Sequence, residues 1–183
     1  MRAGSLLALG LTTGLLTTGL LAAGFHTDHR PAMADSRSPA APPQFLPIEA
    51  EWCLERAETA ASTLPPTCIQ LEVPRTPRQY AWGLMQRPAL GRLRGMWFRF
   101  EPAQAVSFWM HRTLTPLDMV FLREGRVIAI QTNVQPCPRL PCPSYGPGEP
   151  ADGVVELDAG EAAALGIGEG SAAVIRLREP EAP

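Results

Sequence analysis

The stretch GMWFRFEPAQAVSFWMHRTLTPLD, residues Gly95–Asp118, decides the fold class of this chain. Gly95–Phe100 and Val106–Met110 are runs rich in aromatic and other apolar residues, and the short link between them contains Pro102. This pattern is typical of paired antiparallel strands. Pro116 ends the second run, because proline has no N–H to donate to a strand ladder. The stretch therefore predicts a β-hairpin at the centre of the domain.

The flanking sequence predicts further strands and two short helices. A strand pair follows the hairpin, with Glu124-Gly125 as its turn. One helix is predicted from Thr76-Pro77, because threonine is a good N-cap and proline is tolerated in the first turn. A second, alanine-rich helix is predicted from Ala159 to Gly166. We expect a mainly β (α+β) fold, a compact antiparallel β-barrel-like sheet with two short helices. The other predicted strands are Phe45–Trp52, Cys68–Val73, Leu117–Leu122, Arg126–Thr132, Val154–Leu157 and Ser171–Leu177.

The N-terminal residues have the features of an export signal. An apolar run from Leu6 to Phe25 precedes Ala32-Met33-Ala34, which fits a small-x-small cleavage site. The alternative is an uncleaved anchor, since the run is just long enough to span a bilayer. We expect a signal peptide or signal anchor at residues 1–34, a disordered tether at 35–44 and one β-rich domain at 45–178. The protein is expected to be exported, periplasmic or extracellular, touching the membrane only through this segment if it stays uncleaved.

The charge distribution limits the possible partners. The formal net charge is −2, which argues against general nucleic-acid binding. Arginines occur without an intervening acid between Glu72 and Glu101, whereas the part after Glu149 is acidic. Two interpretations stay open: the two regions pair or are solvated, or the basic region is an anion-binding face.

The four cysteines predict two disulfides, because oxidising compartments preserve them. Cys137 and Cys142 enclose a tight loop, and Cys53 and Cys68 flank a polar insertion. We therefore expect the pairs Cys53–Cys68 and Cys137–Cys142. The spacings do not match a zinc motif, and neither a metal nor a cofactor is expected.

Six short segments resemble those of the domain-of-unknown-function family 192 (DUF192), also called uncharacterised protein family 0127. The resemblance implies a compact β-rich fold that is usually exported, and it implies no established reaction. Members commonly carry Lys-Asn-Thr where this chain has His111-Arg112-Thr113. The resembling segments are Tyr80–Met85, Gly95–Phe98, Phe108–Met110, Thr113, Pro116–Asp118 and Val155–Leu157.

The functional residues are expected around the central stretch. We predict a cleft formed by Trp109, His111, Arg112, Thr113 and Asp118, in which the indole stacks on a ligand and the other side chains form a polar end. No complete catalytic set is present, so catalytic residues are not assigned. The expected function is a binding module for a small ligand, a glycan or an envelope partner protein.

An envelope-polymer hydrolase that uses Asp118 is the enzymatic alternative. Glu156 would be its candidate partner, since glycosidases place a carboxylic acid and a carboxylate across a cleft. The opposing interpretation is that Asp118 caps the turn after Pro116 and that Glu156 lies on an exposed strand face.

A soft-metal site is the second alternative. Met85, Met96, Met110 and Met119 together with His111 would suit Cu(I), which prefers thioether and imidazole ligands. Methionine more often fills gaps in a core, so we expect no stoichiometric copper.

Overall fold

The structure is a computed structural model that describes residues 41–54 and 67–179. The expected signal segment and most of the expected tether and of the insertion after Cys53 lie outside the described residues. The elements, numbered in chain order, are β1 (Ile48–Cys53), β2 (Cys68–Glu72), α1 (Pro77–Trp82), β3 (Arg94–Gln104), β4 (Phe108–Trp109), β5 (Leu117–Arg123), β6 (Arg126–Val134), β7 (Ser144–Tyr145), β8 (Ala151–Asp158), α2 (Glu161–Ala164) and β9 (Ile175–Leu177).

Seven strands form one sheet in the order β6-β5-β8-β3-β2-β1-β9. All neighbours are antiparallel except β2 and β3. The sheet does not close by continuous strand pairing. However, Val127 N–H on the outer edge of β6 donates to Ser171 O (3.0 Å) and Ala173 N–H donates to Gly125 O (2.8 Å), while the following β9 pairs with β1. One C-terminal segment thus contacts both edges, and the mainly β, barrel-like fold class is confirmed.

The predicted hairpin between residues 95–100 and 106–110 is wrong. β3 pairs with β8 along one edge and with β2 along the other, so its backbone is already bonded on both sides near Met96. β4 pairs instead with β7, with Phe108 opposite Tyr145. The aromatic runs identified strands, but the choice of partner depends on segments far away in the chain.

The predicted pair of strands on either side of Glu124-Gly125 is confirmed as the β5–β6 hairpin. Glu124 has φ +50° and Gly125 has φ +71°, so both central turn residues are left-handed. Turns of this kind match the twist of the flanking strands, which is why they are favoured in two-residue hairpin loops.

Helix α1 begins as predicted after Thr76, and the structure adds the second half of a capping box. Thr76 Oγ1 accepts from Gln79 N–H (3.2 Å), and Gln79 Oε1 accepts from Thr76 N–H (3.0 Å). The helix ends at Gly83, whose φ of +48° side chains rarely tolerate. Leu84 and Met85 then enter the core. Within the described ranges, neither helix has the length or apolar character needed to cross a bilayer.

The two faces of the sheet bury two separate cores. Side chains alternate between faces along a strand, so a strand covered on both sides is buried throughout. Strand β8 is such a strand, with Val155 and Leu157 in one core and Val154 in the other. The inner core, inside the curved sheet, includes Trp52, Ile69, Leu71, Val120, Leu122, Val155, Leu157 and Ala162. The outer core includes Leu84, Met96, Phe98, Met110, Leu117, Met119, Phe121 and Val154.

Both predicted disulfides are present. Cys53 and Cys68 face each other across the β1–β2 ladder and are bonded. Cys137 and Cys142 close the loop after β6. The loop is also held by its backbone, since Cys137 N–H donates to Met110 O (3.0 Å) and Arg112 N–H donates to Cys137 O (3.3 Å).

Replacing both Cys137 and Cys142 by serine is expected to lower the free energy of unfolding by about 2 kcal/mol, because the loop that they close is short. The matched double replacement of Cys53 and Cys68 opens a longer loop and is expected to cost about 3 kcal/mol. Urea titration of both variants without reductant measures the two values. A larger loss for the Cys137/Cys142 variant would contradict this order.

One buried ion pair fixes the segment after α1 against the sheet. Arg87 Nη1 lies 2.6 Å from Glu72 Oε2 and Nη2 lies 2.8 Å from Oε1, and the two residues are 7% and 2% exposed. The Phe45 ring lies against the guanidinium at 4.6 Å, and Gln44 donates to Gly83 O (3.0 Å). Residues 44 and 45 are therefore attached beside the end of α1.

Among the described residues, the arginines between Glu72 and Glu101 form no ion pair with the acids of the C-terminal part after Glu149. Arg75 pairs with Glu49 (2.6 Å) and Arg99 with Glu101 (3.1 Å), both acids being outside the C-terminal part. Asp158, which belongs to the acidic C-terminal part, instead accepts hydrogen bonds from backbone N–H groups, for example that of Gly91 (2.7 Å). This carboxylate holds the loop between α1 and β3 in place.

Candidate functional site

A cavity of about 40 Å³ opens on the outer face of the sheet, between the end of α1, strand β4 and strand β8. A buried water needs at least about 10–15 Å³ by the same measure, so the cavity has room for about three water molecules or a small end group. Its lining combines five aromatic rings with one carboxyl group. The lining residues are Tyr80, Ala81, Trp82, Gly83, Leu84, Met85, Phe98, Phe108, Trp109, Thr113 and Glu156.

The wall of this cavity, which we call the Glu156 pocket, is built on a row of perpendicular aromatic contacts. The Tyr80 and Phe98 rings meet edge to face at 5.9 Å, and Phe98 and Phe108 at 5.0 Å. Such contacts are favourable because the positive edge of one ring meets the negative face of the next. The Tyr80 hydroxyl donates to Arg99 O (2.8 Å), which fixes α1 on β3. The row therefore joins α1, β3 and β4 along the wall of the pocket.

Gly83 forms the roof directly over the carboxyl group. A Cβ added at this position would lie 3.4 Å from Phe98 Cζ and 3.9 Å from Glu156 Oε2. The absence of a side chain at Gly83 leaves the space beside the carboxyl free. The residue thus serves two purposes, since it also ends α1 with its positive φ.

Glu156 is the chemically distinctive residue of the pocket. It lies on β8 opposite Met96 of β3 and Met119 of β5, is 5% exposed, and therefore shares the outer face with two apolar neighbours. Its Oε2 has no hydrogen-bond partner among the described residues. Burial raises the pKa of the Glu156 carboxyl to about 8, because the charged form loses its hydration. At neutral pH the group is therefore mostly a neutral carboxylic acid that can donate a proton.

A second residue of the pocket lining carries a polar atom without a partner. Trp82 lines the pocket, and its Nε1–H is buried and makes no hydrogen bond within the described ranges. Trp97 Nε1 is also buried and unpaired there, but it lies at Gly153, beside the inner core. Buried polar groups are usually satisfied, so an unpaired donor and an unpaired acid that line one cavity suggest a ligand-binding site.

Four of the five predicted cleft residues lie in or beside the pocket. Trp109 and Thr113 line the pocket, with Trp109 46% exposed at its edge. His111 and Arg112 do not line it but contact its rim: the imidazole lies 5.5 Å from the Trp109 ring and the guanidinium 5.8 Å from the Trp82 ring. Their segment is held from the α1 side, where Gln86 N–H donates to Arg112 O (2.8 Å).

Asp118 lies on the opposite face from the pocket. It faces Leu157 across the β5–β8 ladder, whereas Met119, the next residue, faces Glu156. Since neighbouring side chains of a strand point to opposite faces, Asp118 and Glu156 cannot act as a carboxyl pair. The Asp118 carboxylate is fully buried and accepts from Asn133 N–H (2.8 Å), Gly160 N–H (2.9 Å) and Ala162 N–H (3.1 Å).

The expectation that Glu156 lies on an exposed strand face is wrong. The signal that would have located it is the sequence Val154-Val155-Glu156-Leu157, in which apolar residues do not alternate with polar ones. A continuous apolar run is typical of a strand buried on both faces. An acid inside such a run is therefore expected to be buried, whereas an acid in an alternating strand is expected to lie on the exposed face.

The four methionines of the alternative metal site are buried. Met96, Met110 and Met119 belong to the outer core, and Met85 lines the pocket. His111 lies outside this core, against the ring of Trp109. Within the described part of the chain, three His, Cys, Asp or Glu side chains come together only at Glu51, Cys53 and Cys68, where the two sulfurs are bonded to each other.

The comparisons with known proteins agree with this fold. A structure from Sinorhizobium meliloti 1021, described as a "putative transcription regulator", has 28% identity and a TM-score of 0.58 over 70% of this chain and 92% of its own. A protein of unknown function from Novosphingobium aromaticivorans DSM 12444 has 29% identity and a TM-score of 0.57, over 75% of this chain and 94% of its own. No curated protein matches the sequence.

The family comparison covers most of the described domain. The model of DUF192, described as an uncharacterized ACR, matches residues 57–175. This range contains all of the segments on which the sequence resemblance rests, and every lining residue of the Glu156 pocket belongs to one of them. The chain therefore belongs to the DUF192 family.

Proposed function

We propose that this protein is an exported binding module whose Glu156 pocket receives an end group of a small ligand, a glycan or an envelope partner protein. The observation that carries the proposal is the buried Glu156 carboxyl, whose Oε2 is unpaired in the described residues at an open aromatic-lined cavity. A pocket with mostly apolar walls and a few convergent polar groups is the usual form of a small-molecule site. The cavity volume suits an end group rather than a whole ligand.

The surface around the opening supports binding of a larger molecule beyond that end group. Trp109 presents an exposed indole at the edge, and aromatic faces of this kind stack on sugar rings and other flat apolar groups. His111 and Arg112 add polar contacts next to it. These three residues are predicted to contact the ligand outside the pocket, while Thr113 contacts it inside.

A hydrolase is less well supported than a binding module. Hydrolysis of a glycosidic bond commonly requires two carboxyl groups across one cleft. Glu156 is the single acidic residue of the pocket lining, and Asp118 points to the other face. Binding needs only the unpaired donor groups that the pocket already provides.

The location and partners are part of the same proposal. Two disulfides agree with an oxidising compartment, periplasmic or extracellular, with residues 1–34 as a cleaved signal or as an anchor. The description of the Sinorhizobium protein as a transcription regulator concerns that protein. For this chain the formal net charge of −2 favours a partner other than nucleic acid.

Replacing Gly83 by alanine is expected to abolish ligand binding, because the new methyl group fills the space between Phe98 and the Glu156 carboxyl. The backbone of Gly83, with φ +48° and ψ −130°, lies in a region that other residues rarely adopt, and this adds a stability cost of about 1–3 kcal/mol. Gly91→Ala is the matched control, since Gly91 also has positive φ but no atom near its Cβ position.

The measurement uses N-acetylglucosamine oligosaccharides as the glycan probe and tryptophan fluorescence as the readout, with native mass spectrometry for ligands that copurify. Saturable binding or a copurified ligand is expected in the wild type and in Gly91→Ala, and neither in Gly83→Ala. Retention of either one in Gly83→Ala would show that the ligand binds elsewhere.

A further inference from the structure

We propose that the end group received by the Glu156 pocket carries a hydrogen-bond-accepting oxygen that is neutral or anionic, such as an amide carbonyl or a carboxylate, and that the pocket selects against ammonium groups. This inference rests on the proposed function and specifies the chemistry of its ligand. It follows from the two unpaired polar groups, the lining rings and the charge at the rim.

The first argument is the hydrogen-bonding capacity of the two groups. An indole N–H is only a donor, so Trp82 Nε1 can be satisfied only by an acceptor. The protonated Glu156 carboxyl also donates one hydrogen bond. An incoming ammonium group has only hydrogens to offer, and it would leave the buried Trp82 N–H unpaired. A carbonyl or carboxylate oxygen can accept from the indole or from the acid.

The second argument is the charge around the opening. The guanidinium of Arg112 already lies 5.8 Å from the Trp82 ring, in the position that a ligand cation would take over this indole. Two other titratable groups at the pocket are the His111 imidazole at the Trp109 ring and the Tyr80 hydroxyl, which donates to Arg99 O. The Glu72–Arg87 pair on the same face of the sheet is internally neutralised. An ammonium group would thus meet a fixed positive charge and a neutral acid.

The third argument is desolvation. An ammonium group that enters a cavity this small loses most of its water, and the loss is costly unless a carboxylate replaces it. The faces of the five aromatic rings attract a cation, but they supply no acceptor atom to replace the water that it loses. A neutral amide carbonyl loses far less hydration energy and gains one or two directed donors. A carboxylate also loses its hydration, but it gains the same donors and the positive charge of Arg112 at the rim.

Three probes of similar size test this inference: acetamide, acetate and methylammonium, titrated into the full-length protein. The readout is the ¹H–¹⁵N signal of the Trp82 indole, assigned by its loss in Trp82→Phe. We expect acetamide and acetate to shift the Trp82 signal, and methylammonium to bind at least about tenfold more weakly, the effect of one unmade hydrogen bond. The Trp97 indole, unpaired but on the inner face, serves as an internal reference that stays unchanged.

Two variants separate the donor role from simple packing. Trp82→Phe keeps an aromatic ring but removes the N–H, and it is expected to weaken acetamide binding about tenfold. The affinity of this variant for acetamide is measured by one-dimensional NMR of the probe. Glu156→Gln keeps a neutral donor and is expected to retain acetamide binding. Acetamide affinity that is unchanged in Trp82→Phe, or methylammonium that binds as well as acetamide, would overturn the inference.

The outcomes also distinguish this inference from the proposed function. Methylammonium binding that is lost in Gly83→Ala would leave the pocket as the binding site and reject only the ligand chemistry. Oligosaccharide or copurified-ligand binding that survives in Gly83→Ala would reject the proposed function itself. If no probe shifts the Trp82 indole, the preference for an accepting oxygen is rejected.

Discussion

Glu156→Gln is expected to stabilise the domain above pH 8, by as much as about 5 kcal/mol. The pKa of the carboxyl is about 8 in the folded protein and 4.5 without burial. Between these values the folded protein keeps a proton that the unfolded chain releases, so the stability of the wild type falls as pH rises through this window and levels off above it. Below this window both states hold the proton and the penalty is absent. In Glu156→Gln the side chain at this position does not titrate, so the free energy of unfolding of the variant does not fall for this reason.

Urea titration of wild type and Glu156→Gln at pH 5, 7 and 9 measures this effect. The two proteins are expected to have similar free energies of unfolding at pH 5 and to separate progressively toward pH 9. Glu169→Gln is the matched control, because it makes the same replacement at an exposed glutamate outside the pocket. Parallel pH profiles for wild type and Glu156→Gln would contradict the raised pKa.

A stabilising replacement at this position would have a functional meaning. A buried acid that lowers the stability of the fold at neutral pH is best explained by what it does for a ligand, since binding sites commonly compromise stability. The ligand would restore part of the lost free energy by supplying the missing hydrogen-bond partner. The same residue thus links the stability measurement to the binding measurement.

Asp118→Ala is expected to lower the free energy of unfolding by about 4 kcal/mol, because it leaves three buried or half-buried N–H groups without their acceptor. The carboxylate joins the end of β6, at Asn133, to the start of α2, at Gly160 and Ala162. Asp118→Asn keeps one acceptor oxygen and is expected to lose about half as much.

Thermal and urea unfolding of the two variants, with acetamide titration as a second readout, decides the role of Asp118. A structural role gives a large loss of stability, while the folded fraction binds the probe as the wild type does, because the pocket is on the other face. The sequence-based prediction placed Asp118 in the binding site. Variants that melt like the wild type but no longer bind would restore that assignment.

Features that depend on a few neighbouring residues could be predicted from the sequence. The N-cap at Thr76 and the turn at Glu124-Gly125 are local, and each is set by backbone preferences of two to four residues. The pairing Cys137–Cys142 is also nearly local, since five positions separate the two cysteines. These predictions succeeded because no distant segment competes with them.

The residues of the pocket could be recognised in part. Trp109 and Thr113 were predicted and do line it, because they belong to the aromatic stretch that the sequence marks as unusual. Trp82 and Gly83 lie in a resembling segment, but their role depends on which strand face α1 covers. That face is chosen by the contact between Tyr80 and Phe98, which no local pattern specifies.

The sequence by itself determined the β-rich class, most of the strand segments, the helix start and the disulfide pairs of this protein, but not β7, which is not among the predicted strands. The tertiary structure alone decided that β4 pairs with β7, that β8 is covered on both faces, and that Glu156 and Asp118 point in opposite directions. The physical reason is that the alternation of a strand gives each side chain one of two faces, whereas the environment of each face comes from segments far away in the chain. An acid on β8 becomes a solvated surface group or a neutral buried acid according to whether α1 and β4 cover it, and here they do.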